Sequence, residues 1–110
     1  MQLPAVAAIV LGLAEELEVP VRGMGGAPRF IGSFYGMGKI TPAALVAVMD
    51  EMEAGETAEI MCHPAYLDPE ILSGSRYAVE RVHELTTLID PAVRLAAEAR
   101  GIQLISYRSL

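Results

Sequence analysis

The clearest candidate for chemistry is His63, in the run Cys62-His63-Pro64 that follows a short apolar segment. A histidine at the end of a strand can act as a general acid or base, or as a metal ligand. The alternative is a loop histidine whose ring is hydrogen-bonded to a main-chain carbonyl. Pro64 restricts the backbone next to it. His63 is therefore the first residue to which a catalytic role is assigned.

The second histidine and the single cysteine are less suited to catalysis. His83 lies off the apolar stripe of a predicted helix, which is typical of a solvated surface histidine, and no HExxH-like pattern is present. Strand alternation points Cys62 and His63 to opposite sides, whereas a nucleophilic pair needs converging side chains. Cys62 is therefore predicted to be a small, buried hydrophobic residue.

Arg22 ends the first predicted strand and has two possible roles. Its guanidinium can bind an anionic or hydroxyl-rich group of a substrate, or it can pair with one of the many carboxylates of the chain. The nearby glycines at positions 23, 25 and 26 do not match GxGxxG, and no helix clearly begins after them. They do not predict a phosphate-binding loop.

Alternating helices and strands must position these residues. Helices are predicted over 4–17, from Thr41-Pro42 to Gly55, from Tyr77 to Ile89, and from Asp90-Pro91 to Gly101; strands over 19–22, 58–62 and 102–105; and loops over 27–39 and 66–75. This alternation favours parallel βαβ units. Parallel α/β folds carry their chemistry at the carboxyl ends of strands, so the strand-end residues Arg22, His63 and Ser106 are expected at one edge of the sheet.

The apolar start of the chain has two readings. A signal peptide needs a cationic region before its apolar run, and only Met1 and Gln2 precede this one. Its apolar residues step at three and four positions and glutamates follow, which is the period of an amphipathic helix. We expect a buried helix here.

Composition limits the class of protein. The 110 residues predict a single unit, 1–110, and 53% hydrophobic against 20% charged residues argue against disorder. A net charge of −6 argues against nucleic acid or an anionic membrane as a partner. One cysteine excludes an internal disulfide or a multi-thiolate zinc site and fits a reducing, cytoplasmic setting. No apolar stretch reaches the roughly 18 residues of a membrane span.

The run from Glu59 to Asp68 resembles the YdjC-like carbohydrate deacetylases, whose signature in this region reads E-x-M-C-H-P-G-Y-x-D. The similarity extends over nearly the whole chain, at Leu13-Ala14-Glu15, Val19-Pro20-Val21-Arg22, Phe34-Tyr35-Gly36, Ser75-Arg76-Tyr77, Arg81, Glu84-Leu85, Leu88, Pro91 and 101–107. The resemblance implies a metal-dependent amidohydrolase that removes acetyl groups from N-acetylated sugars such as chito-oligosaccharides.

The resemblance also implies roles for individual residues. His63 matches the family's C-terminal active-site histidine, the acid that protonates the leaving amine. Arg22 matches an arginine near the substrate. Tyr66 lies in the same motif as His63, and we expect both Arg22 and Tyr66 to contact the substrate. The divalent metal of the complete family domain, Mg²⁺ or Zn²⁺, polarises the amide carbonyl and activates water.

Several family features are absent from this sequence. It has no paired aspartates and no upstream metal-binding histidines; its first aspartate is Asp50, and Ala65 replaces the usual glycine. The fold expected is therefore α/β, a partial (β/α) barrel with parallel strands that corresponds to the C-terminal part of a distorted TIM-barrel-like deacetylase domain. No metal is expected on this chain alone.

Two functions follow from these departures. The first is an enzyme part, active only together with an N-terminal half. The second is a non-catalytic α/β remnant or oligomeric interaction module. In either case the exposed apolar surface is expected to make the chain associate, with the N-terminal half or with a second copy of itself.

Overall fold

The computed structural model describes residues 4–21 and 28–109. In chain order the elements are α1 (Pro4–Leu17), β1 (Arg29–Ile31), α2 (Pro42–Asp50), β2 (Ala58–Ile60), α3 (Pro69–Gly74), α4 (Val79–Leu88), α5 (Pro91–Ala99) and a 3₁₀ turn at Tyr107–Ser109.

The centre of the fold is a βαβ unit made of β1, α2 and β2. The two strands pair in parallel, with Arg29 opposite Ala58 and Ile31 opposite Ile60. The connection between them contains α2, as a parallel pair requires. The Thr41 side chain caps α2 by accepting the Ala44 N–H. The expectation of a mixed α/β fold with parallel strands is confirmed, with a sheet of two strands over the described residues.

A small core forms where α2 meets the loop after β1 and the C-terminal helices. Its buried side chains are Phe34, Ile40, Leu45 and Val93, with Met49 and Ile60 packed against them. Helix α2 contacts both α4 and α5. The core therefore joins α2 to α5 and to the loop after β1, and α4 contacts this unit through α2.

Helix α4 buries a polar face. Its apolar period predicted the helix, but the side chains that are fully buried are Glu84 and Thr87, while Leu88 and Ile89 are exposed. The Thr87 hydroxyl donates to the Ile40 carbonyl at 2.8 Å. Burial of these polar groups is tolerated because each one is hydrogen-bonded.

Two predicted strands are wrong, and one strand was missed. The segment predicted as a loop over 27–39 contains β1, which exists because its main chain pairs with β2. The described part of the predicted strand 19–22, residues 19–21, is not in a strand, and Arg22 lies outside the described residues. Short strands depend on a partner, which local sequence does not reveal.

The predicted strand Ile102–Ile105 has no ladder either. A groove of about 750 Å³ lies along this segment and is also lined by Ala58 and Ile60 of β2. Leu104 is 88% exposed. Helix α5 ends where the sequence predicts, because Gly101, just after the helix, has a φ of +67°. The apolar run therefore forms no strand among the described residues, and Ser106, expected at a strand end, does not follow one.

Helix α3 lies in a segment predicted to be a loop, 66–75. Asp68 accepts the Ile71 N–H at 2.8 Å and Pro69 occupies the first turn. The same Asp-Pro signal correctly predicted the start of α5 at Asp90. The signal for α3 was thus present in the sequence.

Helix α1 has the predicted bounds but not the predicted burial. It buries no residue, and its apolar side chains are exposed, Ile9 at 63% and Leu17 at 66%. The Cα radius of gyration is 16.3 Å, against about 13 Å for a compact domain of this size. Over the described residues, no helix has the length and apolar character needed to cross a membrane.

The bond from Thr87 to Ile40 gives a stability test. Thr87→Val keeps the branched shape but removes the donor to a buried carbonyl, so the free energy of unfolding is expected to fall by about 1–3 kcal/mol. Urea denaturation measures this change. The matched control is Thr86→Val, one residue earlier on the exposed side of α4, for which little change is expected. Equal effects of the two variants would contradict the structural role of this bond.

Candidate active site

His63 lies at the carboxyl end of β2, three residues after the strand ends. Because β1 and β2 are parallel, the loop that follows β1 leaves the sheet at the same edge and brings Tyr35 and Gly36 close to His63. This is the edge at which parallel α/β folds place their functional groups. The sequence-based placement of His63 at a strand end is therefore matched by the geometry.

Every second main-chain N–H group around His63 donates a hydrogen bond. Alternate N–H groups each donate to a fixed acceptor: Met61 to the Ile31 carbonyl at 2.9 Å, His63 to Glu84 Oε1 at 2.5 Å, and Ala65 to the Arg81 carbonyl at 3.2 Å. The first acceptor belongs to β1 and the other two to α4. The extended segment thus continues the sheet ladder and is then clamped along one side of α4.

The carboxylate of Glu84 connects three segments of the chain. It is 0% exposed; one oxygen accepts the His63 N–H and the other accepts the Tyr77 hydroxyl. The Tyr77 hydroxyl in turn accepts the Gly36 N–H at 3.0 Å. Gly36 has a φ of +88°, a conformation that favours glycine. Loop, strand end and helix therefore meet at one buried carboxylate.

Two tyrosines form an aromatic wall beside the His63 ring. Tyr35 and Tyr77 stack with centroids 4.3 Å apart and planes 6° from parallel. His63 meets both edge-on, at 5.7 Å from Tyr35 and 5.8 Å from Tyr77. Such edge-to-face contacts are favourable and directional. The ring of His63 is therefore oriented by its neighbours as well as by its main chain.

The Tyr77 phenol is kept protonated by its surroundings. Burial, followed by the hydrogen bond to the Glu84 carboxylate, raises the pKa of Tyr77 to about 12. A phenol that donates to a carboxylate loses that bond when it ionises, so the protonated form is stabilised. The hydroxyl is consequently a structural donor at neutral pH.

The described residues do not by themselves fit a metal centre. No group of three or more histidine, cysteine, aspartate or glutamate side chains is placed to hold an ion within residues 4–21 and 28–109. One unused ligand atom is present: His63 Nδ1 is buried and has no hydrogen-bond partner among these residues. A hard cation needs several oxygen or nitrogen ligands. A single free ring nitrogen is too few.

The other candidate residues are placed differently. Cys62 is exposed, which contradicts its predicted burial; burial alternates along residues 61–65, and Cys62 falls on the exposed side, opposite the half-buried His63. Partial burial of the thiol and the nearby Glu84 charge raise the pKa of Cys62, which disfavours a nucleophilic thiolate. His83 is exposed, as predicted, and Tyr66 is 80% exposed. Arg22 lies outside the described residues.

The groove beside Ile102–Ile105 lies away from these groups. Its lining includes none of the residues that surround His63. Among its charged residues, Asp50 pairs with Arg100 at 2.6 Å and Glu56 pairs with Arg29 at 2.8 Å. Although this groove is a sizeable cavity, the chemistry is better placed at the His63 edge.

Sequence reasoning assigned no role in the site to Tyr35, Tyr77 or Glu84. All three lie in stretches that carry the family resemblance, but a glutamate in the middle of a helix is normally a solvated residue. Only its burial marks Glu84 as part of the site. Tyr35 and Tyr77 are 42 residues apart in the sequence and meet only in the folded chain.

Comparisons with known proteins agree on one family. A family model described as YdjC-like protein matches residues 1–99. A carbohydrate deacetylase of Geobacillus stearothermophilus is 41% identical over 113 residues, which cover 96% of this chain and 46% of that protein. A chitooligosaccharide deacetylase of Klebsiella pneumoniae is 35% identical over 82 residues, 74% of this chain and 32% of that protein.

A solved structure shares the fold. A crystal structure of an Enterococcus faecalis protein, described as a candidate cellobiose-phosphate cleavage protein, superposes with a TM-score of 0.83 at 26% identity and covers 94% of this chain and 46% of that one. The chain thus spans about half the length of the first relatives and of the solved structure that it matches.

The raised pKa of Tyr77 predicts a pH dependence of stability. Between the ordinary value of 10.0 and about 12, the unfolded chain releases the phenol proton while the folded chain retains it. The free energy of unfolding should therefore fall as the pH rises through this window. Urea denaturation from pH 9 upward measures the fall. In Tyr77→Phe the fall should be smaller, and identical slopes for the two proteins would contradict the assignment.

Proposed function

This chain belongs to the YdjC-like protein family, and from that premise we propose that it forms part of a metal-dependent carbohydrate deacetylase. The substrate is an N-acetylated sugar of the chito-oligosaccharide type, and the bond hydrolysed is the amide of its acetamido group. The observation that carries the proposal is the position of His63, at the carboxyl end of β2 with its main chain clamped by β1 and α4.

His63 acts as the acid of the reaction. Water adds to the amide carbonyl and loses a proton, the C–N bond breaks, and a ring nitrogen of His63 supplies the proton that the leaving amine requires. The proton lost by water balances the one that His63 donates. The products are acetate and the free amino sugar. A positioned imidazole suits this step because histidine is the side chain that most often serves as a general acid or base in catalysis.

Tyr66 and Arg22 are proposed to contact the sugar. Tyr66 follows His63 by three residues and is 80% exposed, so its ring is accessible to a ligand at this edge. The guanidinium of an arginine offers several donors to the hydroxyl oxygens of a carbohydrate. For Arg22 the support is the family motif alone.

The remainder of the site is proposed to come from sequence that the relatives carry beyond the matched region. This chain then corresponds to the C-terminal part of a distorted (β/α) barrel. Helix α1 supports this arrangement, because its apolar side chains are exposed although its sequence is that of a core helix. The relatives are about twice as long as the matched region, so the rest of their length is sufficient to cover the exposed side chains of α1.

The divalent ion, Mg²⁺ or Zn²⁺, is proposed to bind residues of that remaining part of the domain. When bound, it polarises the carbonyl and activates the water. Its ligands are not assigned within residues 4–21 and 28–109, which lack a suitable cluster. The exposed, free Cys62 is compatible with the cytoplasmic location that we propose for the enzyme.

A second candidate function is an interaction module that binds another copy of the chain. The observation in its favour is the exposed apolar side of α1 together with the small core. Exposed apolar patches of more than a few hundred Å² commonly mark contact sites. An assay of deacetylation by the reassembled domain distinguishes the two functions. If the chain is only an interaction module, the reassembled domain is inactive.

The catalytic role of His63 is tested in a chimera in which this chain replaces the matched region of the Geobacillus enzyme. The chimera should release acetate from N-acetylated chito-oligosaccharides. His63→Ala should lower kcat by about 10²–10⁴-fold, the range for loss of a positioned acid or base. The control is His83→Ala, since His83 is exposed on α4, and its activity should equal that of the parent. Full activity of His63→Ala would exclude the acid role.

Metal analysis tests the division of the site between the two parts. After dialysis, the chimera should retain a divalent ion, whereas the 110-residue chain should retain only substoichiometric amounts, because His63 alone offers too few ligands. Elemental analysis by mass spectrometry measures both. A full equivalent of metal on the isolated chain would contradict the proposal and would point to His83, Asp68 and Glu59 as ligands.

A further inference from the structure

We propose that Glu84 is the positioning residue for His63: its buried carboxylate sets the orientation of the imidazole through the His63 main chain and the Tyr77 hydroxyl. The proposal rests on the function assigned to His63 above. Glu84 itself does not touch the reacting atoms, so its effect is transmitted through the two groups that it binds.

The first link runs through the backbone. Glu84 Oε1 accepts the N–H of His63 at 2.5 Å, a charge-assisted contact to the residue whose side chain is at issue. The next residue, Pro64, has no N–H and a restricted φ. The hydrogen bond on the N-terminal side of His63 and Pro64 on its C-terminal side together fix the direction of the His63 Cα–Cβ bond.

The second link runs through the ring. Glu84 Oε2 accepts the Tyr77 hydroxyl, and the Arg81 Nε donates to the Tyr77 carbonyl at 2.6 Å. Tyr77 is thereby held at both its phenol and its main chain. Its ring and the stacked Tyr35 ring form the wall that the His63 ring meets edge-on. Loss of the carboxylate should loosen this wall.

The burial of Glu84 supports a specific role. A carboxylate with 0% exposure carries a desolvation cost that a neutral residue of the same size avoids. Both of its named partners belong to the site, one being His63 and the other the tyrosine against its ring. The carboxylate therefore holds the main chain of His63 and the neighbouring Tyr77 in fixed positions.

The test uses Glu84→Gln, which keeps the shape of the side chain. The glutamine oxygen can still accept the His63 N–H, but without charge, and its NH₂ group cannot accept the Tyr77 proton. The matched control is Glu80→Gln, one turn earlier on α4. Tyr77→Phe breaks the second link alone, and the double variant measures the coupling between the links.

The first measurement is made on the 110-residue chain and needs no activity. The His63 amide proton of Glu84→Gln should move upfield and exchange faster with solvent, because its acceptor has lost its charge. The Ala65 amide, which donates to the Arg81 carbonyl of the same helix, should be unchanged. A merely structural role would loosen both amides together. That result, or an unchanged His63 amide, would overturn the proposal.

The second measurement is made in the chimera. Glu84→Gln should lower kcat by about 10- to 100-fold with KM within about twofold, since sub-ångström misplacement of a reacting group lowers the rate rather than the affinity. The double variant should lose less than the product of the two single losses. Parental kcat in Glu84→Gln would overturn the proposal. An inactive parent chimera would refute the proposed function instead, and the amide measurement would still decide the role of Glu84.

Discussion

The buried carboxylate of Glu84 links three segments of the chain at the His63 edge. The loop after β1, the end of β2 and helix α4 are distant in sequence, yet each supplies a group to this carboxylate or to the tyrosine that it binds. The hydrophobic core is too small to define the His63 edge, because its members lie on α2, α5 and the loop between β1 and α2. Directional hydrogen bonds orient the site where packing does not.

Helix α4 buries polar side chains and leaves apolar side chains exposed. Glu84 and Thr87 face the site and the core, whereas Leu88 and Ile89 point to solvent in the described chain. Helix α1 is likewise apolar and exposed. In a family whose relatives are about twice as long as the matched region, these surfaces are where further sequence is proposed to pack. The hydrophobic effect then provides the energy of association, and the hydrogen bonds of the site provide its geometry.

Sequence similarity shows the family. The geometry shows that His63 is held at the carboxyl edge of a parallel pair of strands, against two tyrosines.

The longer helices α1, α2, α4 and α5 were predictable from the sequence by itself. Capping residues followed by proline located the starts of α2 and α5, and Gly101 located the end of α5, because these signals act within a few residues. The His-Pro motif indicated His63 as the candidate catalytic residue. Tertiary structure alone decided that Arg29–Ile31 is a strand, that Ile102–Ile105 is not, and that Glu84 is buried. Each of these outcomes depends on a partner distant in sequence, since a strand requires a neighbour and a buried carboxylate requires donors that only the folded chain supplies.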